Sequence, residues 1–119
     1  MKKNKAQRIV IDSITSFSLL YEDNLTKKEA ALSLFELIDK WNCTAILTSQ
    51  DESKQDHAMT AATEFEVDGI VILYHAKKKG VRRRSMEILK MRGTKIPEKT
   101  ISLDIGKSGI TINPQKIEF

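Results

Sequence analysis

"RIVID", residues 8–12, and the later stretch "CTAILTSQ", residues 43–50, decide how this chain is read. Each is a short apolar run rich in β-branched residues, without the polar alternation of a half-solvated strand. Such a run suits a strand buried on both faces of a parallel sheet. The polar segment "YEDNLT" then leads into a helix. Thr26 and Glu29 have capping-box spacing, in which each side chain satisfies an orphan N–H of the first turn. Ala30, Ala31, Leu34, Phe35, Ile38 and Trp41 recur at helical spacing, which predicts an amphipathic helix of about 16 residues. Strand, helix and strand with a short return make a right-handed βαβ crossover, the unit of an α/β sheet.

The polar stretch "DESKQDHAMTAATEFE" (51–66) reads as a loop with one helical turn. "DGIVILYH" (68–75) is expected as a third buried strand. "RRSMEILKMR", "KTISLDI" and "GITIN" are strands separated by turns containing Gly or Pro, which predicts an antiparallel extension. The fold class is therefore α/β, with parallel strands first and antiparallel strands after them, in a single domain over residues 1–119.

Composition narrows the class. Of 119 residues, 40% are hydrophobic and 30% charged, the balance of a globular domain and not of a disordered chain. No apolar run approaches the roughly 20 residues that span a bilayer. The basic start "MKKNKAQRIVID" lacks the apolar core of a secretory signal. One cysteine, Cys43, excludes an internal disulfide framework, and two histidines argue against a zinc site. A cytoplasmic protein without a membrane partner is the expectation.

The net charge of +4 is unevenly spread. Residues 1–75 hold 8 basic and 12 acidic side chains, residues 76–119 hold 12 basic and 4 acidic ones. "KKKGVRRR" (77–84) supplies six of those cations. The run fits either a solvated turn or a surface for nucleic acid or another acidic partner. With no aromatic residue interleaved, base stacking on it is disfavoured.

Three places carry possible chemistry. Asp12 ends the first strand at the carboxyl edge, where open α/β sheets bind ligands. Its segment has the shape of a Walker B strand, whose carboxylate holds the water shell of a Mg²⁺ bridging nucleotide phosphates. An Asp that merely caps the next turn gives the same pattern. Gln50 ends the second strand at the same edge, where an amide orients an attacking water or simply marks a polar exit. Lys90 and Arg92 in "EILKMRGTKIPEKT" (87–100) share a face by strand alternation, with Met86 and Ile88 further back on that face and Leu89 and Met91 on the other. They mark either a strand leaving the core or a pair of cations held towards an anion. "GKS" (106–108) imitates the end of a P-loop, but the motif needs a glycine where Ile101 stands, and a strand follows in place of a helix. It reads as a hairpin turn.

In order along the chain, "RIVIDSITSF", "TAILTSQ", "EFEVDGIVIL", "RRRSMEILKMRGT" and "GITINP" resemble the RecA-superfamily ATPases, and among them the KaiC-like family. The resemblance covers about residues 7–114. It implies a RecA-like core that assembles head to tail, usually as a hexameric ring, with ATP and Mg²⁺ between subunits. Under it Asp12 is the Walker B acid acting on Mg²⁺ through water. Lys90 and Arg92 match a Lys-x-Arg pair that reaches the γ-phosphate of ATP held by the neighbour, and Met91 and Thr94 match positions lining the nucleotide. Gln50 stays a candidate beside them.

Departures from the family pattern are equally informative. The chain starts just before the Walker B strand, so the half that carries the P-loop and catalytic glutamates is expected to be missing. Glu64–Phe65 stands where the clock protein's second domain has its autophosphorylated pair, so clock-type autokinase activity is not expected. Ile96 with Pro97, and Gly106 with Lys107, replace residues that some members use near the nucleotide.

The leading expectation is therefore a ring-forming KaiC-like ATPase domain of signalling or regulatory role, inactive by itself. Two alternatives stand beside it: a DNA-binding module related to the recombinases, and an ATP-independent subunit-interaction module.

Overall fold

The computed structural model describes residues 5–50 and 66–117. The chain divides into two compact units, Met1–Glu66 and Val67–Phe119. The first unit holds β1 (Arg8–Asp12), α1 (Ile14–Ser18), α2 (Asn24–Trp41) and β2 (Thr44–Thr48). β1 and β2 pair in parallel with Arg8 opposite Thr44 and Asp12 opposite Thr48. The strand–helix–strand unit expected from the sequence is thus present, and α1 is an additional short helix that no periodicity announced.

α2 runs as its apolar spacing requires. Ala31, Phe35 and Ile38 are its buried residues, one stripe at i, i+4 and i+7, and Ala30, Leu34 and Trp41 flank them half-buried. Its start differs from expectation. The N-cap is Asp23, not Thr26. Asp23 Oδ1 accepts the Thr26 N–H at 2.8 Å and Oδ2 accepts the Thr26 hydroxyl at 2.7 Å. A carboxylate has two acceptor oxygens for these two donors, and its charge suits the positive end of the helix dipole. Helix termination falls to Asn42, left-handed at φ 51°, whose N–H returns to the Asp39 carbonyl at 3.1 Å.

The two parallel strands alternate in burial, which corrects the reading of runs buried on both faces. Ile9, Ile11, Ala45 and Leu47 are half-buried, while Val10 and Ile46, opposite one another in the ladder, are 66% and 60% exposed. Covering both faces of a parallel sheet takes helices on either side. Within this unit one face of the β1–β2 pair stays open.

The second unit is a four-stranded antiparallel sheet in sequence order: β3 (Gly69–Lys78), β4 (Val81–Met91), β5 (Ile101–Gly106) and β6 (Gly109–Ile117). The antiparallel extension is present and also takes in "DGIVILYH". That strand is β3, paired with β4, and not a third strand beside β1 and β2. Nor is it buried, since Val71 and Leu73 are 49% and 70% exposed. The "GKS" segment is the turn between β5 and β6, with Gly106 paired to Gly109. Pro114 lies where the β5–β6 register breaks, a position that tolerates its missing N–H, and its carbonyl accepts a hydrogen bond from Lys99 Nζ at 2.8 Å. The stretch 51–65, including Glu64 and Phe65, lies outside the described residues.

The two hydrogen bonds from Thr26 hold the Asp23 carboxyl below its ordinary pKa. A carboxylate whose folded-state pKa is lowered stabilises the fold above its unfolded value, about 3.9, and that contribution is lost as pH falls through the lower folded value. Asp23→Ala is accordingly expected to lower the thermal midpoint at pH 7. Wild type and variant should draw together as pH falls from about 4 through the lower folded value, as followed by far-ultraviolet circular dichroism; a constant gap across that range would refute the cap assignment.

Candidate functional site

The carboxyl ends of β1 and β2 gather oxygen and amide groups at one edge. Register places Thr48 directly across from Asp12, and its hydroxyl donates to Asp12 Oδ1 at 2.6 Å. Beyond β1 the chain turns at Ser13 through a cis Asp12–Ser13 peptide into α1, where the Ser13 side chain caps by accepting the Ser16 N–H at 3.3 Å. Ile14, only 1% exposed, anchors that turn. Thr15 then reaches the end of β2: its hydroxyl lies 3.3 Å from Ser49 Oγ and accepts the Gln50 N–H at 2.9 Å.

Of the predicted residues, Asp12 and Gln50 are therefore brought to the same edge, Asp12 bonded to Thr48 and the Gln50 backbone bonded to Thr15, which also meets Ser49. Thr15, Thr48 and Ser49 are the hydroxyls that line that edge. Sequence reading missed them, although "DSITS" and "LTSQ" place hydroxyls directly after both strands. An exposed carboxylate among hydroxyls is a set of hard oxygen donors. Thr48 occupies only one of its two oxygens, so the donor set fits Mg²⁺ held through water. An open depression lined by Gln7, Arg8, Asn42, Cys43 and Thr44 lies at the opposite, amino-terminal end of these strands.

The second group, in the other unit, is built at the end of β4. A register shift falls between Ile70 and Val71: Val71 pairs with Ile88 but Ile70 pairs with Lys90, so Leu89 is an extra, unpaired residue. Neighbouring residues of β3 point to opposite faces, so this β-bulge puts Lys90 on the face opposite Ile88. The expectation that Lys90 shares a face with Met86 and Ile88 is corrected by that one residue. Lys90 and Arg92 do remain together on a face, which they share with Glu87 and Ser85 through the pairs with Ile72 and Tyr74.

Arg92 is fixed from both sides. Its backbone N–H extends the ladder to the Asp68 carbonyl at 2.7 Å, and its Nη1 pairs with Asp68 Oδ1 at 2.8 Å. Immediately after it, Thr94 N–H closes a β-turn on the Met91 carbonyl at 3.1 Å, with Gly93 at φ 73° in its third position. That position of a type II turn needs a positive φ, which explains glycine in "MRGT". Met91 lies against Gly69 of β3 and is 38% exposed. Thr94 is exposed beside it.

Comparison with known proteins gives the family. A family profile described as "ATPase: KaiC" matches residues 1–117. This chain belongs to the KaiC family of ATPases. It is 30% identical over 113 residues to the circadian clock oscillator protein KaiC of Prochlorococcus marinus, a match covering 94% of this chain and 23% of that protein. It is 34% identical over 112 residues to the UPF0273 protein MJ1359 of Methanocaldococcus jannaschii, covering 94% of this chain and 46% of that one. The crystal structure of the KaiC-like protein PH0186 from Pyrococcus horikoshii superposes with a TM-score of 0.78 at 32% identity, over 95% of this chain and 51% of the other. The fold is accordingly that of a RecA-type KaiC-like domain, and the chain spans about half the length of these archaeal relatives and under a quarter of the clock protein.

The turn after Arg92 makes a direct prediction. An L-residue in the left-handed region costs about 1–2 kcal/mol, so Gly93→Ala should lower the unfolding free energy by that amount in a urea titration. Asp68→Asn, which breaks only an exposed ion pair (59% and 85% exposed), should change it by about 1 kcal/mol or less. A Gly93→Ala protein as stable as the wild type would show that the turn is not held.

Proposed function

We propose that this chain supplies the Mg²⁺-facing and neighbour-facing residues of a KaiC-type ATPase domain with a signalling or regulatory role, working in a head-to-tail assembly with ATP between subunits. The observation that carries the reading is the hydrogen-bonded Asp12–Thr48 pair at the carboxyl edge of the parallel strands, in a chain that matches the KaiC ATPase profile. Asp12 would hold the water shell of Mg²⁺, which supplies neutralisation of phosphate charge. Gln50, held by Thr15 through its backbone, would orient water at the same edge.

Lys90 and Arg92 would face the nucleotide of an adjacent subunit, flanked by Met91 and Thr94. The Arg92–Asp68 pair supports that role. An exposed ion pair is worth about 1 kcal/mol or less, so Arg92 exchanges it readily for a phosphate, a stronger bidentate partner for a planar guanidinium.

Assembly is supported by the second sheet. Val71, Leu73, Ile105, Ile110 and Ile112 lie on one of its faces by register, and each is between 45% and 70% exposed. Exposed apolar residues gathered on one sheet face fit an interface. The 119 residues contain no glycine-rich loop ending in Gly-Lys-Ser/Thr, so phosphate cradling would fall to P-loop residues outside them.

The isolated chain is expected to release phosphate from ATP at the uncatalysed rate, and rapid turnover would overturn the half-site reading. Mixed with a KaiC-type subunit that bears a P-loop, it should raise turnover, and Arg92→Ala should remove most of that gain, on the order of 10³-fold for an arginine acting in trans. Light scattering with and without Mg²⁺ and ATP checks the assembly; a mass indifferent to nucleotide would favour an ATP-independent interaction module.

A further inference from the structure

The ATPase reading leaves the six cations of residues 77–84 without a role. In the structure five of them belong to a two-stranded ribbon, and Arg84 stands at its base. β3 and β4 pair from Lys78 and Val81 inward, while β5 joins β4 only at Arg84, Ser85 and Met86. Among the described residues no third strand pairs with the hairpin from Ala76 to Arg83, and every residue of that stretch is exposed. Its tip is Lys79–Gly80, with φ 50° and 79°, the two positive values of a type I′ turn, whose twist matches that of the strands. Three residue pairs beyond the sheet, at about 3.4 Å each, give a projection of roughly 10 Å.

Register assigns the cations to both faces. Lys77 and Arg82 pair on one face, joined there by Arg84 opposite His75; Arg83, opposite Ala76, and Lys78, opposite Val81, are on the other. Segment 77–84 contains no acidic residue. Charge on both faces of a narrow ribbon suits a partner that surrounds it, not a flat one. A bilayer surface would meet one face, and the ribbon offers it only the small apolar side chains of Ala76 and Val81. The major groove of duplex nucleic acid is about 12 Å wide and 8.5 Å deep, lined on both sides by phosphates, and admits a two-stranded β-ribbon. With no aromatic residue at the tip, single strands gain no stacking platform there.

We propose that the β3–β4 ribbon is a binding arm for duplex nucleic acid, held by phosphate contacts in the groove and without base specificity.

The test is fluorescence anisotropy of a labelled mixed-sequence 20-base-pair DNA titrated with the full chain between 50 and 200 mM NaCl. These conditions place the dissociation constant at about 10⁻⁴–10⁻⁶ M near physiological salt. Each phosphate contact adds about 0.9 to the slope of log K against log salt, so the triple variant Lys77→Gln, Lys79→Gln, Arg82→Gln should lose close to 3 in slope magnitude. A control variant on α2, Lys27→Gln with Lys28→Gln, should keep the wild-type slope, and circular dichroism confirms that both variants fold. Three results would each overturn the proposal: no binding at 50 mM salt, a ribbon variant that binds like wild type, or equal binding to anionic phosphatidylserine vesicles that the variant also loses.

Discussion

Parallel pairing of β1 with β2 is the constraint on which the candidate site rests. Side chains alternate along a strand, so a one-residue slip would turn Asp12 and Thr48 to opposite faces and break the 2.6 Å hydrogen bond between them. The register is supported from outside the ladder as well. Thr44 N–H bonds the Gln7 carbonyl at 2.9 Å before the strands begin, and Thr15 bonds the Gln50 N–H after they end. A carboxylate and an amide distant in sequence thereby share one edge, and the short helix α1, anchored by Ile14, is the strap that keeps them there.

Much of this was legible in residue order, and the failures have identifiable causes. Strand ends are visible where an apolar run meets a polar residue, so residue order alone puts Asp12 and Gln50 on one edge. The α2 stripe was equally plain, because Ala31, Phe35 and Ile38 follow the helical period. The start of α2 was not, since Asp23 and Thr26 both fit an N-cap and only geometry shows that the carboxylate accepts both donors. Apolar content also misled. It marked β1 and β3 as buried, but composition cannot say which element covers a face, and Val10, Ile46 and Leu73 are exposed. The membership of β3 in the antiparallel sheet was hidden for a related reason: a half-buried strand rich in Ile and Val resembles a fully buried one.

The bulge at Leu89 is the least readable feature and one of the most consequential. No residue type announces an extra position within "EILKMR"; glycine would have hinted at one, but leucine does not. Yet that residue decides that Lys90 leaves the face of Ile88 and joins the face of Glu87 and Ser85. At this end of β4 the face of Val71 and Ile88 stays apolar, and Lys90 and Arg92 emerge on the other side. Without the bulge, a long cation would sit in line with Val71 and Met86, where burial of its charge in an interface would be costly.

The two groups of cations in the second unit therefore differ in kind, although composition counts them alike. At the ribbon, charge is spread over both faces of an exposed hairpin, an arrangement that tolerates many poses and fits a uniformly charged partner. At the end of β4, Arg92 has its backbone locked by a ladder bond to Asp68 and by the turn at Gly93, while its guanidinium is held only by an exposed, exchangeable ion pair. A fixed base with a transferable head suits the phosphate contact proposed for Arg92. Reach and direction are set by the backbone, and little is lost when Asp68 is given up. The same logic explains why the turn uses glycine: a strained residue at that position would loosen the base on which the positioning depends.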